Sequence, residues 1–287
     1  MAKIDIVLDA TMLDTFMLCQ CKFNYRFNHN FQTPVKAKPL DRGSMVHIGE
    51  EVYFGELKKN NSWANAVDAM IKAVQIEASA PECSLEPEET KRIVDVLIET
   101  TGVWKESDLQ MEVLAVEQSF MYVLYEDDDI RIIMIGKIDL LVNQHPYKRM
   151  PVDHKSYDRS YPVQRKTNQF QNYAYATESS YLLVNRIGFQ TSIKPAEKHK
   201  RVPLCYDPLI LAQWKENVIH WAKYYVECAV DNKWPMNDTS CDKYNRTCEY
   251  YDVCDSSGEP AKVHKLETNF IIGEPWDVSK SLSRKGQ

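Results

Sequence analysis

Two aspartates and a lysine lie in two mostly apolar stretches near the middle of the 287-residue chain. Asp139 is in GKIDLL, and Asp153 and Lys155 are two residues apart in PVDHKSY. Alternation along a strand puts Asp153 and Lys155 on one face, and pairing of the two stretches around the turn at 143–149 would bring the aspartates together. Carboxylates bind Mg²⁺ or Mn²⁺, and a lysine can orient water and stabilise charge on a phosphoryl group. The three residues therefore predict metal-assisted hydrolysis of a phosphodiester.

Four further side chains of suitable chemistry occur in order around this group. His47 lies in RGSMVHIGEE, Glu117 lies in LAVEQSF, and Gln169 and Tyr173 are four apart in NQFQNYAYA. Each also has an ordinary structural interpretation, as a packed helix histidine, a solvent-facing strand glutamate or the polar edge of a helix. An Asp-x-Lys pattern is likewise common on the wet face of a sheet. The functional interpretation depends on the ordered set rather than on any single residue.

The ordered set resembles the nuclease domain of the RecB and AddB family within the PD-(D/E)XK superfamily. The pattern of that family is a histidine helix, a glutamate strand, G-x-x-D, D-x-K and Q-x-x-x-Y, and each part has a counterpart here. The resemblance implies DNA cleavage with Mg²⁺ or Mn²⁺, and it implies metal ligands at His47, Asp139 and Asp153. It implies catalytic-site roles for Asp139, Asp153, Lys155, Glu117, Gln169 and Tyr173. The glutamine and tyrosine of the family help to position the lysine and the DNA.

A second set of residues with metal-binding chemistry lies near the C-terminus. Cys241, Cys248 and Cys254 form a C-x6-C-x5-C pattern, and the N-terminal segment FMLCQCKFNYRF offers Cys19 or Cys21 as a fourth ligand. Four thiolates suit either an iron-sulfur cluster or tetrahedral zinc. The residues alone leave both the fourth ligand and the metal open.

This arrangement of one distant cysteine and three clustered ones resembles the AddB-type iron-sulfur nucleases. Alignment on C-x-x-x-F gives Cys19 as the family's first ligand, with Phe23 following. The resemblance implies a [4Fe-4S] cluster on Cys19, Cys241, Cys248 and Cys254, with zinc as the less favoured alternative. Such a cluster would stabilise the fold by holding the first helix against the last segment. The other cysteines, Cys83, Cys205 and Cys228, are interpreted as ordinary thiols.

Periodicity of apolar residues predicts the elements that position these side chains. Helices are predicted over 11–27 (with Thr11 as the cap), 43–57, 62–77, 86–105, 163–177 and 208–230, and strands over 111–125, 130–142, 150–157, 181–189 and 201–206. The order predicts an α/β fold with a central mixed β-sheet flanked by helices, a restriction-endonuclease-like core. We expect one domain over 1–287, with a mainly helical part (1–108), a nuclease core (109–230) and a cysteine-clamped C-terminal segment (231–287).

The net charge of −6 argues against a protein that coats nucleic acid by bulk attraction. A local basic run, Lys194, Lys198, Lys200 and Arg201, is either a DNA contact or a solvated loop. No stretch of eighteen apolar residues and no signal-peptide core occurs in the sequence, so we expect a cytoplasmic protein without membrane contact.

These features together predict an exonuclease or DNA end-processing enzyme for recombination, repair or phage DNA metabolism. The expected partner is DNA that is single-stranded or has free ends. Because the sequence lacks a G-x-x-x-x-G-K-[ST] motif, unwinding would come from a helicase or recombination partner. The alternatives are a non-catalytic nucleic-acid-binding scaffold and a zinc-stabilised protein-interaction module.

Overall fold

The computed structural model describes residues 3–34, 38–81, 83–159, 162–243 and 246–275. The chain divides into two compact units. The terminal unit comprises Met1–Lys36, Met121–Gly136 and Ala212–Gln287. The central unit comprises Ala37–Phe120 and Lys137–Leu211. The expectation of a single domain stays a prediction.

The strands are β1 (Ile4–Leu8), β2 (Phe31–Gln32), β3 (Glu112–Glu126), β4 (Ile130–Gln144), β5 (Tyr147–Tyr157), β6 (Tyr181–Gly188), β7 (Lys200–Cys205), β8 (Asp242–Lys243), β9 (Arg246–Thr247) and β10 (Ile271–Ile272). The α-helices are α1 (Ala10–Leu18), α2 (Gln20–Phe23), α3 (Lys38–Asn60), α4 (Trp63–Ala78), α5 (Pro87–Leu109), α6 (Asn168–Thr177), α7 (Pro195–Lys198), α8 (Pro208–Asp231), α9 (Tyr251–Cys254) and α10 (Glu259–Asn269). A π-helix, Asn24–Asn28, follows α2, and a 3₁₀ turn, Asp238–Ser240, precedes β8.

The central unit is built on a mixed sheet. β4 and β5 are antiparallel with Leu140 opposite Val152, β5 and β6 are parallel with Asp153 opposite Val184, and β6 and β7 are antiparallel. β3 pairs with β4, which confirms the predicted meander of three strands. β5 therefore has a neighbour on each side, so the strand that carries Asp153 is an inner strand of the sheet.

Helices pack on both faces of this sheet. One apolar cluster joins α3, α4 and α5 to Leu140, Val152 and Leu183. The other cluster joins Phe170 and Ala174 of α6 to residues of β6 and β7. Because strand side chains alternate between faces, the mostly buried strand β6 contributes Leu183 and Ile187 to the first cluster and Leu182 and Val184 to the second. The predicted α/β class, with helices flanking a mixed sheet, is confirmed.

The terminal unit holds the two ends of the chain. β1 runs parallel to the first half of β4, with Ile4 opposite Ile130. Phe16 of α1 contacts Trp221 and Tyr225 of α8 through edge-on rings at 6.2 and 5.7 Å. This aromatic packing, which suits edge-to-face geometry, fixes the N-terminal helix beside the long C-terminal one.

The structure corrects the predicted elements at the N-terminus. The sequence predicted one helix over 11–27, but the helix breaks at Cys19, whose backbone is extended at φ −164°. Asp9, rather than Thr11, caps α1, because its carboxylate accepts from the Met12 N–H at 2.7 Å. Strand β1 was not predicted. The alternation of Ile4, Ile6 and Leu8 in the sequence was a signal for it, and the last two of these residues are buried.

The remaining differences concern element ends. The helix predicted over 163–177 begins only at Asn168, because Thr167 is its extended N-cap. The C-terminal segment 231–287 has more structure than predicted, with the β8–β9 hairpin, α9, α10 and β10. Within that segment, residues 244–245 and 276–287 lie outside the described residues. No helix in the ranges given above is long and apolar enough to cross a bilayer.

Candidate active site

Three possible metal ligands from three elements meet in the central unit. Ligand atoms of His47 on α3, Glu117 on β3 and Asp139 on β4 all lie within 4.8 Å of one another. His47 Nδ1 is 3.6 Å from Asp139 Oδ2. One imidazole and two carboxylates form a donor set suited to a divalent cation such as Mn²⁺. The sequence named His47 and Asp139 as metal ligands, and the structure brings Glu117 to the same point.

The backbone at Glu117 is unusual for a strand. Its φ of 50° lies in the left-handed region, which is uncommon for a residue with a side chain and costs roughly 1 kcal/mol. Such a residue locally redirects a strand. The Glu117 side chain is largely buried and is paired with the ammonium of Lys137. Strain at a residue of a ligand group is typical of functional sites.

Asp139 lies where the regular pairing of β4 with β5 gives way to a side-chain contact. Leu140 is opposite Val152 in the ladder. Beyond that pair, the backbone N–H of His154 donates to Asp139 Oδ2 at 2.8 Å. A side-chain oxygen thus satisfies a buried backbone donor. The contact fixes the Asp139 carboxylate next to the strand that carries Asp153.

Asp153 is completely buried and pairs with Lys155. Lys155 Nζ lies 3.0 Å from both Asp153 oxygens, but only the contact to Oδ1 has hydrogen-bond geometry. Among the described residues, Asp153 Oδ2 is a buried oxygen without a hydrogen-bond partner. A buried acceptor of this kind is costly unless a donor or a cation satisfies it. Asp153 is not one of the three residues that meet within 4.8 Å, but its Oδ2, whose contact with Lys155 is ionic without a hydrogen bond, is a further oxygen suited to a cation.

A chain of hydrogen bonds holds Lys155 from the other side. Lys155 Nζ donates to Gln169 Oε1 at 3.0 Å, and Gln169 Nε2 donates to the Tyr173 hydroxyl at 2.9 Å. The Tyr173 hydroxyl donates in turn to the backbone carbonyl of Lys137 at 2.6 Å. The four-residue spacing of Gln169 and Tyr173 places them on one side of α6. The amide of Gln169 is thereby oriented with its oxygen toward the lysine.

Burial dominates the electrostatics of the two aspartates. It raises the pKa of Asp153 to about 7, against the opposing charge of Lys155. It raises the pKa of Asp139 to about 6, while the N–H of His154 and the charge of Lys155 act to lower it. Burial also lowers the pKa of His47, with Lys155 acting in the same direction. A neutral imidazole beside three carboxylates that only two ammonium groups compensate is a site that a divalent cation would stabilise.

The side chain of His154 points away from Lys155, as alternation along the strand predicts. Its ring packs on Phe54 of α3 at 5.6 Å between centroids, and its Nδ1 lies 3.3 Å from Asn185 Nδ2. The carboxyl of Glu50 is 3.7 Å from the same nitrogen, and burial raises the pKa of Glu50 to about 8. This polar group lies behind β5 and supports the strand that carries Asp153.

Comparison with known families agrees with this geometry. The family model of the PD-(D/E)XK nuclease superfamily matches residues 8–255. The chain belongs to this superfamily. Membership implies nuclease activity, and PD-(D/E)XK nucleases use divalent metals such as Mg²⁺ or Mn²⁺. A search among curated proteins found no match.

One charged side chain beside these candidate ligands was not named from the sequence. Lys137, in GKID, places a second ammonium group beside the three ligands through its pair with Glu117. Its charge also acts to lower the pKa of Asp139 and of His47. The available signal was its spacing of two residues from Asp139, because that spacing puts two side chains on one side of a strand.

The basic run proposed as a DNA contact is only partly on the surface of the PD-(D/E)XK chain. Lys198 is buried and pairs with Glu99, and Arg201 pairs with the buried Asp108. Lys194 and Lys200 are exposed. Lys198 and Arg201 therefore support the fold. For Lys194 and Lys200, contact with DNA stays a prediction.

Four cysteines line one cavity in the terminal unit of the PD-(D/E)XK chain. The cavity has a volume of about 370 Å³, and its lining includes Cys19, Cys241, Cys248 and Cys254. Cys21 Sγ lies 3.9 Å from Cys254 Sγ. None of the eight cysteines forms a disulfide. The thiols that the sequence named from opposite ends of the chain therefore surround a common space.

Local structure explains how the cysteines reach the cavity. The extended backbone at Cys19 separates α1 from α2 and lets the chain turn toward 235–237, where the Cys21 N–H donates to the Pro235 carbonyl at 3.0 Å. On the other side, the N–H of Cys248 donates to the carbonyl of Cys241 at 2.7 Å and closes the β8–β9 hairpin. Tyr250, Val253 and Phe270 form the small core beneath it.

Proposed function

We propose that this chain is a deoxyribonuclease of the RecB/AddB-like type that trims DNA ends, acting on single-stranded DNA or on duplexes with free ends. The proposal depends on one observation: a group of possible metal ligands lies next to an aspartate–lysine ion pair. The group of His47, Glu117 and Asp139 lies beside the ion pair of the buried Asp153 with the partly exposed Lys155, and Gln169 orients the lysine. Metal-assisted hydrolysis of a phosphodiester uses such a combination of cation ligands and a positioned ammonium group.

In this proposal His47, Glu117, Asp139 and Asp153 hold Mg²⁺ or Mn²⁺. The metal supplies Lewis-acid activation of the scissile phosphate and of the attacking water. Lys155 is the catalytic side chain. Its ammonium is fixed between Asp153 and Gln169, and it positions the water and stabilises the charge that develops on the phosphate. Tyr173 keeps the Gln169 amide in the orientation that this requires.

The activity test compares the purified protein with Lys155→Met on end-labelled single-stranded and duplex DNA in Mg²⁺ or Mn²⁺. The control is Lys72→Met, which removes an exposed lysine of α4. We expect cleavage by the wild type and by the control, and a loss of about 100-fold or more for Lys155→Met. Equal activity of all three proteins, or none in any, would contradict the proposal. Absence of cleavage with retained DNA binding would instead favour a non-catalytic scaffold.

The mode of cleavage has a separate test. An exonuclease requires a free end, so we expect linear single strands to be degraded and covalently closed circles to remain intact. Mononucleotide or short-oligonucleotide products that appear from the start of the reaction would support end processing. Cleavage of circles at the rate of linear strands would establish an endonuclease and overturn this part of the proposal.

We further propose that Cys19, Cys241, Cys248 and Cys254 bind a [4Fe-4S] cluster. The resemblance to the AddB-type nucleases favours this choice, and the cavity of about 370 Å³ that the four thiols line has room for it. A single zinc ion, with bonds of about 2.3 Å, would hold four sulfurs only about 3.8 Å apart. A cluster of four irons and four sulfides fills a larger space and keeps the ligands farther apart. Its role would be structural, because it would hold α1 and α2 against the C-terminal hairpin.

The metal is identified by analysis of anaerobically purified protein. We expect about four irons and four sulfides per chain and a brown colour. A colourless preparation with one zinc per chain would establish the alternative, a zinc-stabilised module.

The proposed setting is the cytoplasm, with a helicase or recombination protein as the partner that supplies unwound DNA. Co-purification with such a partner from cells with damaged DNA tests this setting.

A further inference from the structure

Lys137 contributes a second cationic side chain to the active site, beside Lys155. Its ammonium forms an ion pair with Glu117, one of the three residues that meet within 4.8 Å. The Lys137 side chain is about one-third exposed, whereas Glu117 is only 11% exposed. The lysine therefore lies at the open side of the ligand group, and the carboxylate lies at the inner side.

The backbone at this position is also fixed. The carbonyl of Lys137 accepts the hydrogen bond from the Tyr173 hydroxyl at 2.6 Å. Lys137 and Lys155 are thus connected to the same pair of α6 side chains, one through its backbone and the other through its ammonium. The backbone of Lys137 is therefore held in place, while its ammonium can exchange Glu117 for another anionic partner.

The formal charges indicate why a second lysine is useful here. The carboxylates of Glu117, Asp139 and Asp153 and the ammonium groups of Lys137 and Lys155 leave the ionised site with one net negative charge. One divalent cation reverses that charge to one positive, which matches a single phosphodiester. Without Lys137, the cation would make the site neutral, and it would offer no net attraction to a DNA phosphate.

We propose that Lys137 is a substrate-binding residue whose ammonium is held by Glu117 until a divalent cation takes that carboxylate, after which it binds a backbone phosphate of the DNA. The inference rests on the proposed nuclease function. Lys137 then has two successive partners of the same charge type, first a carboxylate and then a phosphate. Metal binding and DNA binding are coupled through this side chain.

The coupling predicts changes of opposite sign in Lys137→Met. Loss of the competing ammonium should raise the Mn²⁺ affinity of the DNA-free protein about fivefold, the effect of one part-exposed ion pair. Loss of a phosphate contact should lower DNA affinity in Ca²⁺ and reduce the slope of log affinity against log salt by about 0.7 to 1. Lys137→Arg keeps the charge and should retain the salt slope. The control Lys72→Met should change neither affinity.

Calorimetric titration with Mn²⁺ and anisotropy of a labelled oligonucleotide in Ca²⁺ provide the measurements, with intact DNA verified on a gel. A purely structural ion pair would give a different result: Lys137→Met would bind Mn²⁺ more weakly, unfold at lower temperature and keep the salt slope of the wild type. That result would overturn the inference, and so would behaviour equal to that of Lys72→Met.

Asp139→Asn separates this inference from the proposed function. If Asp139→Asn binds Mn²⁺ as tightly as the wild type, the metal site itself is misassigned and the nuclease proposal fails. If Asp139→Asn loses Mn²⁺ and Lys137→Met shows neither change, only the role of Lys137 fails. Both variants are measured in the full chain, with circular dichroism to establish that each is folded.

Discussion

The buried carboxyl group of Asp153 makes the stability of the metal-free protein depend on pH in a direction opposite to that of most aspartates. Burial raises its pKa from 3.8 to about 7. Between these two values the native state keeps a proton that the unfolded chain has lost, so stability falls as pH rises. Each pH unit in this range costs about 1.4 kcal/mol. Above pH 7 the full penalty is present.

Asp153→Asn removes this penalty because an amide has the shape of the protonated acid. From pH 5 to pH 8 the wild-type residue crosses about two units of the sensitive range, which corresponds to about 3 kcal/mol. We therefore expect the stability advantage of Asp153→Asn over the wild type to grow by about 2 to 3 kcal/mol between pH 5 and pH 8. For a chain of this size that is a difference in Tm of about 3–5 °C.

The assay is urea unfolding at pH 5 and pH 8 in the presence of a chelator, repeated with Mn²⁺. Asp68→Asn is the matched control, because it removes an exposed carboxylate from α4. Mn²⁺ should stabilise the wild type at pH 8 and should have little effect on Asp153→Asn, which should also be inactive. An advantage that is equal at the two pH values, or a loss of stability at pH 8, would refute the assignment of a buried, ionisable ligand.

Three further outcomes follow from contacts described above. Glu50→Gln should change the free energy of unfolding by less than about 1 kcal/mol at pH 7 in urea titrations, because burial raises the pKa of Glu50 to about 8 and the acid is mostly protonated there. Tyr173→Phe should lower kcat/KM for DNA about tenfold, since Gln169 loses the partner that orients it; an unchanged value would mean that the amide needs no such support. Cys19→Ser should lose iron and stability whereas Cys21→Ser retains both, by iron analysis and thermal melts; the reverse pattern would assign the ligand to Cys21.

The central unit was largely predictable because its sequence patterns are strong. Long alternating and apolar runs gave β3, β4 and β5 with their pairing, and helical periodicity gave α4 and α5 to within a few residues. The ordered motif residues from His47 to Tyr173 all belong to this unit. Local pattern and tertiary structure agree there, as expected for a core that buries both faces of a sheet.

The differences arise where tertiary contacts override local preference. The segment around Cys19 has helical periodicity, yet the chain bends there because the neighbouring backbone bonds to Pro235. The left-handed backbone of Glu117 lies inside a run of strand-forming residues and has no local signature. The ion pair of Lys137 with Glu117 depends on which residues of β3 and β4 face each other, and a single sequence does not contain that register.

The spacing of the thiols along the chain constrains the order of events during synthesis. Cys21 and Cys254 are 233 residues apart, and a ribosome that adds about 5–20 residues per second needs roughly 10 to 50 s to travel that distance. Throughout that interval the N-terminal cysteines are exposed to the cell without their C-terminal partners. If these thiols bind a metal as proposed, the site is completed only late in synthesis, and a chain interrupted before the final hairpin would carry its first thiols unprotected to the machinery of quality control.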